Sequence, residues 1–199
     1  MKVRLVLVVV GVVLVVAAAT LALRPAAGPP PPVLDIGGNF TLTDQDGHAF
    51  QLSSLHGDVV LIFFGYTYCP DACPTTLSKL SVVARRLGRD ARHVKTVYIT
   101  VDPDRDTPAV MKADLANFAI DSVGLTGTRA EIDRVVRQYG AAYEIVPEPG
   151  SAARYGVSHS TTLYALDGLG RTRILFRYEA TVDEIVAGIR SILADGSSS

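Results

Sequence analysis

Runs of apolar residues, helical repeats and short polar turns divide this chain into segments. From Leu5 to Leu23 the sequence is apolar apart from Gly11 and Thr20, which at about 1.5 Å rise per residue matches roughly one hydrocarbon thickness. Pro25 to Pro32 follows and ends in four consecutive prolines, a composition that favours a semi-rigid polyproline II spacer. Phe40 and Leu42, then Phe50 and Leu52, flank Asp44-Gln-Asp-Gly47 and predict a β-hairpin. Asp58 to Tyr66 is continuously apolar after its first residue, the signature of a strand buried on both faces. Pro74 stands where a first helical turn tolerates it, and Leu77, Leu80, Val83, Ala84 and Leu87 then repeat at helical spacing up to Gly88. Val94 to Val101 predicts a second buried strand, and Thr107-Pro108 opens a helix to about Ala119. After the short apolar run Val123 to Leu125, Thr128 with Glu131 forms a capping-box pattern that opens a helix to about Tyr139. Ser158 to Leu166 and Arg171 to Tyr178 predict two strands joined at Asp167-Gly-Leu-Gly170. Thr181 with Glu184 repeats the capping box before a last helix to about Leu193.

Alternating strands and helices imply an α/β domain with a mostly parallel central sheet, crossover helices and an antiparallel edge. The expected organisation is a transmembrane anchor over 1–24, a proline-rich linker over 25–38, one folded domain over 39–195 and a disordered tail over 196–199. Lys2 and Arg4 precede the apolar run and Arg24 follows it, so the positive-inside bias places the N-terminus in the cytoplasm and the domain on the extracytoplasmic side. A cleaved signal peptide is the rival reading, with Ala17-Ala18-Ala19 as its small-residue site, but the run is longer than a usual h-region.

Hydrophobic residues make up 48% of the chain and charged residues 20%, which excludes a disordered protein. Removing Lys2, Arg4 and Arg24 from the 19 basic residues leaves 16 against 20 acidic ones. A domain near −4 is not built to bind nucleic acid by counterion release.

The two cysteines, Cys69 and Cys73, lie four apart between a buried strand and the start of the next helix. Backbone N–H groups and the helix dipole stabilise a thiolate there, making both sulfurs nucleophilic and competent to bind metal. A structural disulfide is the alternative, although closing so short a loop removes little chain entropy. His48, His56 and His93 fall in turns or at a strand start and are expected to be solvated. His159 lies in the polar patch Tyr155-Gly-Val-Ser-His-Ser-Thr-Thr162, next to a strand that can approach the cysteine-bearing one. Residue spacing alone leaves His159 open between a metal ligand and a surface histidine. Asp102 and Asp106 are candidates for carboxylates supporting the site or facing a partner, or for a plain turn and helix start, and Arg105 can pair with either. Tyr66 and Tyr68 are expected to pack, possible walls of the site notwithstanding.

Three separated motifs, Phe64-Gly-Tyr-Thr-Tyr-Cys-Pro-Asp-Ala-Cys-Pro74, Val101-Asp-Pro-Asp-Arg-Asp-Thr-Pro108 and Val157-Ser-His-Ser-Thr161 running into Tyr164, carry a wider resemblance. From about Gly37 to Leu193 the chain resembles the Sco/SenC family of copper-binding assembly factors for cytochrome c oxidase, which have a thioredoxin-like fold. The resemblance implies a thioredoxin-like domain with an N-terminal β-hairpin extension behind a single transmembrane helix. It also implies a copper site, Cu(I) or Cu(II), formed by Cys69, Cys73 and His159. Two departures stand out: Ser158 replaces an Asp common before the His, and Ser160 stands where thioredoxins carry a cis-proline facing a shorter cysteine spacer.

The leading function is then a membrane-anchored copper metallochaperone that serves the copper-bearing subunit of cytochrome c oxidase at its dinuclear copper centre. An upstream copper donor or thiol reductant would be a second partner. The alternative is a thiol-disulfide reductase that keeps the acceptor cysteines reduced, with Cys69 and Cys73 as its redox-active pair and no need of His159. A thiol peroxidase requires an Arg beside an activated Cys, which nothing near Cys69 in the sequence supplies.

Overall fold

The computed structural model describes residues 30–150 and 153–196. The segment expected to form the anchor, the linker up to residue 29 and residues 197–199 of the expected tail lie outside the described residues. Among the described residues, no helix is long and apolar enough to cross a membrane.

The described chain runs β1 (Thr41–Asp44), β2 (Ala49–Gln51), β3 (Val59–Gly65), α1 (Ala72–Leu87), β4 (Val94–Thr100), α2 (Pro108–Leu115) and β5 (Ser122–Thr126). It continues with α3 (Arg129–Gln138), β6 (Tyr143–Pro147), β7 (Tyr155–His159), β8 (Leu163–Leu166), β9 (Thr172–Phe176) and α4 (Val182–Gly196). Seven strands form one sheet in the order β2-β1-β5-β4-β3-β8-β9, and β6 and β7 pair separately.

Parallel pairing is confined to the centre, where β4 lies between β3 and β5. The hairpin β1-β2 joins the sheet by pairing β1 antiparallel to β5, and β8 pairs antiparallel to both β3 and β9. The mostly parallel sheet expected from the sequence is therefore a mixed one. Antiparallel neighbours need no helical crossover, and β8 reaches β3 directly from β7 through three polar residues.

The continuous apolar pattern of β3 follows from burial on both faces. Val59, Leu61 and Phe63 pack with α1, α2 and α4 through Leu77, Leu80, Met111, Ile185 and Ile189. Val60, Ile62 and Phe64 pack on the opposite face with the hairpin and α3 through Leu42, Ile132, Val135 and Tyr139. Because successive side chains point to opposite faces, one strand serves two cores.

Both capping boxes form as the sequence pattern predicts. Glu131 N–H donates to Thr128 Oγ1 at 3.3 Å while Thr128 N–H donates to Glu131 Oε2 at 2.8 Å. The equivalent pair at Thr181 and Glu184 measures 3.2 and 2.7 Å. The helix opened by Thr107 ends earlier than Ala119, since Asn117 turns its side chain back onto the carbonyls of Ala113 and Asp114. Gly196, expected to begin the tail, belongs to α4.

Residues ahead of the hairpin are docked on the domain. Leu34 N–H donates to the Thr172 carbonyl at 2.8 Å, Arg173 Nε donates to the Pro31 carbonyl at 2.8 Å, and Gly37 N–H donates to the Gln138 carbonyl at 3.0 Å.

Candidate metal centre

The cysteines occupy the turn from β3 into α1. Cys69 N–H donates to the Tyr66 carbonyl at 3.1 Å, which curls the chain back immediately after the strand. Asp71 is the residue capping α1, so Cys73 lies in the first turn of a sixteen-residue helix, where unpaired N–H groups and the macrodipole favour an anion. Cys73 N–H points at Cys69 Sγ at 3.5 Å.

His159 arrives at the end of β7, not inside the single strand expected over Ser158 to Leu166. Ser160, Thr161 and Thr162 break that strand, so β7 pairs with β6 and β8 alone enters the large sheet. The Phe63↔Leu163 register brings the residues before Leu163 to the end of β3 that carries the cysteines. Ser160 fixes the break by donating from its N–H to the Ala142 carbonyl and accepting from Ala142 N–H on its hydroxyl, both at 2.9 Å.

The His159 Nδ1 lies 3.0 Å from its neighbour's carbonyl at Ser160, so we assign the proton to Nδ1. That tautomer leaves the Nε2 lone pair for Cys73 Sγ, 3.5 Å away. Tyr66, almost fully buried, holds the ring edge-to-face at 5.8 Å between centroids. Cys69 Sγ, Cys73 Sγ and a His159 ring nitrogen all lie within 4.8 Å of one another. They form the one cluster of His, Cys, Asp or Glu ligand atoms suited to a metal ion among the described residues. The sulfurs are not joined.

Electrostatics separates the two sulfurs. Cys73 is buried, whereas Cys69 and His159 are half-buried. A hydrogen bond from the Cys73 thiol, helped by the N–H groups of Asp71 and Cys73, lowers the Cys69 pKa to about 3 against burial. The same bond and burial raise Cys73. The metal-free dithiol therefore shares one proton, held on the inner sulfur, with the thiolate on the accessible one.

The remaining candidates have separate roles. His48, His56 and His93 are exposed and outside the cluster, as expected. Arg105 pairs with Asp102 rather than Asp106, and Asp102 also accepts from the Tyr155 hydroxyl at 2.8 Å. Arg105 lies over Tyr155 at 3.8 Å and Tyr68 at 4.9 Å, so Tyr68 covers the guanidinium while remaining exposed.

Asp106 has a role that its sequence context hides. It is fully buried and accepts from Thr67 N–H at 3.0 Å, Thr67 Oγ1 at 2.6 Å and Thr100 Oγ1 at 2.6 Å. It thereby ties the chain two residues before Cys69 to the end of β4. The sequence singles out Asp106 as a candidate supporting carboxylate, but the separation of 39 positions hides its partner Thr67 from a local reading. Asp106→Asn places an amide donor among donors and is expected to cost about 2 kcal/mol in denaturant unfolding, the scale of one unsatisfied buried polar group. Burial, opposed by these hydrogen bonds, raises the Asp106 pKa. A carboxyl raised in the fold binds its proton more tightly there than in the unfolded chain. Its contribution to stability is thus fullest below the unfolded value of about 3.9 and declines as pH rises through the folded one. Asp106→Asn should lack that decline; an identical pH profile in both proteins would contradict it.

Comparison with known proteins places this geometry. A family model described as SCO1/SenC matches residues 29–194. A SCO2-like protein of Rickettsia felis is 36% identical over 151 residues, covering 76% of this chain and 74% of its own. The structure of Bradyrhizobium japonicum ScoI with copper bound is similar at 43% identity and a TM-score of 0.71, covering 79% of this chain and 99% of that one. BsSco, described as a member of the Sco family of cytochrome c oxidase assembly proteins with a disulfide switch, is similar at 26% identity and a TM-score of 0.65, covering 82% and 97%. A thioredoxin-like α/β domain, three converging soft ligands and a family match over most of its length agree: the chain belongs to the SCO1/SenC family.

Proposed function

We propose that this protein is a copper metallochaperone that holds one copper ion on Cys69, Cys73 and His159 and delivers it to the copper-bearing subunit of cytochrome c oxidase, at the dinuclear copper centre. The observation that carries the reading is the convergence of two sulfurs and one imidazole within 4.8 Å, with no fourth His, Cys, Asp or Glu in the cluster among the described residues. Two thiolates and an imidazole suit Cu(I) and can also hold Cu(II), whereas structural zinc normally takes four protein ligands. Partial exposure of Cys69 and His159 leaves two of the three ligands open to attack by an acceptor's thiolate. Copper then passes through shared, under-coordinated intermediates, each new bond replacing one to this chain. Copper is cargo here, and the similarity to a Sco protein solved with copper supports the choice of metal.

The apolar segment over 1–24 completes the reading as an uncleaved anchor, with the proline linker over 25–38 and the domain over 39–195 outside the cytoplasm. A tether of that kind keeps donor and acceptor in one plane and raises their effective concentration.

The test is Cu(I) stoichiometry and affinity of the purified full chain against a competing chelator. Wild type is expected to take one copper, and His159→Ala to weaken it by about 100-fold, the upper end of what loss of an outer-shell partner alone costs. A His159→Ala protein that binds as tightly as wild type would remove the imidazole from the site.

The second reading, a thiol-disulfide reductase acting on the acceptor's cysteines, is favoured by one observation: Cys69 is half-exposed while Cys73 is buried behind it, and the contact between them lowers the Cys69 pKa and raises that of Cys73. Cys69 would attack the acceptor disulfide, and Cys73 would then displace the reduced acceptor. Two electrons and the Cys73 proton leave this chain as its own disulfide forms, and the second acceptor sulfur takes its proton from solvent. That reading predicts full activity in His159→Ala, which separates it from copper delivery.

A further inference from the structure

Tyr98 lies in the middle of β4, fully buried, its ring stacked on Phe63 at 4.5 Å between centroids and 6° between planes. It belongs to the same apolar core as Cys73. Its hydroxyl is among three buried side-chain polar atoms without a hydrogen-bond partner. A phenol in such a place is costly unless it has an acceptor. The ring and the Cys73 sulfur crowd the same Cα: a Cβ built on Gly65 would lie 2.5 Å from Cys73 Sγ and 3.0 Å from Tyr98 Cε2. Cε2 is bonded to the carbon that carries the hydroxyl, so the hydroxyl end of the ring and the Cys73 sulfur lie beside the same residue on one face of β3.

We propose that Tyr98 is a positioning residue for the metal centre, donating its hydroxyl hydrogen to Cys73 Sγ when that sulfur is a metal-bound thiolate. The inference rests on the copper reading of the site. A thiol sulfur is a weak acceptor, whereas a sulfur that binds metal has lost its proton and accepts strongly. The orphaned phenol therefore gains its partner at the step in which Cys73 becomes a ligand. Cys73 is also the ligand that water does not reach, so the hydroxyl supplies the polar contact that solvent gives the more exposed ligands. A donor on a coordinated sulfur lowers the energy of the sulfur lone pair, strengthening tolerance of the electron-rich centre and raising the energy needed to move charge from sulfur to metal.

Tyr98→Phe keeps the stacked ring and removes only the oxygen. In the metal-free full chain, thermal unfolding is expected to be unchanged or slightly raised, because the oxygen has no partner there. In the copper-loaded protein, Cu(I) affinity should fall about tenfold, the scale of one hydrogen bond to a charged group. The sulfur-to-Cu(II) charge-transfer band should move to longer wavelength. A packing role alone would lower metal-free stability and leave the band in place. Normal copper binding in wild type with an identical band and affinity in Tyr98→Phe overturns the role of Tyr98 while leaving the copper site intact. If wild type binds no copper, the copper reading and this inference fall together.

Discussion

Cys73→Ser is expected to abolish tight copper binding, lowering Cu(I) affinity by more than about 1,000-fold, because a hard hydroxyl would replace a soft thiolate at the proposed ligand held deepest in the protein. Cys73 is buried at the first turn of α1, with His159 Nε2 at 3.5 Å and the core beneath it. Among the described residues the cluster offers only Cys69 and His159 beside it, so no fourth His, Cys, Asp or Glu stands ready to substitute. Serine is nearly isosteric and tolerated in a first helical turn, so the variant should fold, which a thermal unfolding scan checks directly. Chelator competition on the reduced full chain is the measurement. Retention of wild-type affinity by Cys73→Ser would show that the buried sulfur is not a ligand.

Gly65→Ala should destabilise the domain and the metal site together. The added Cβ would meet Cys73 Sγ at 2.5 Å, Tyr98 Cε2 at 3.0 Å and Phe63 Cε2 at 3.4 Å. Neither ring can withdraw, since Phe63 and Tyr98 are stacked in a filled core. The sulfur or the strand must move instead. Overpacking of this kind costs about 3 kcal/mol, the upper part of the usual range, read as a lower denaturant midpoint. A metal site displaced by roughly 1 Å loses its geometry, so copper affinity should fall with stability. Wild-type stability together with wild-type affinity in Gly65→Ala would mean that the close approach of Gly65 to the cysteine is not required.

The elements that sequence periodicity identified best are those stabilised locally. β3 is legible because both faces are apolar, and α1 because its buried residues repeat at 3.6. α3 and α4 are legible because a Thr and a Glu three positions apart cap themselves. The pairing of Cys69 and Cys73 was legible from position alone. The convergence of His159 with them was not; it depends on β8 entering the sheet in one register and on β7 leaving it. β6 was missed altogether, since Tyr143-Glu-Ile-Val-Pro147 has three exposed residues at its centre and its partner lies beyond an intervening loop. Tyr98 was silent for a related reason, and Asp106, singled out with Asp102 as a candidate carboxylate, gave no sign of its partners. An Asp before a helix and an aromatic in a buried strand look ordinary until the residue opposite is known.

The docked segment before the hairpin gives the molecule a direction. Leu34 is held at Thr172, which lies across β8 from Val60, near the start of β3. The cysteines follow Gly65 at the other end of that strand, roughly 17 Å away at about 3.3 Å per residue. Whatever holds the N-terminus grips the domain by its base, with the ligand set at its crown. The domain is in effect a pedestal whose height is one β-strand, so a pull applied through Leu34 would reach the crown only along the length of β3.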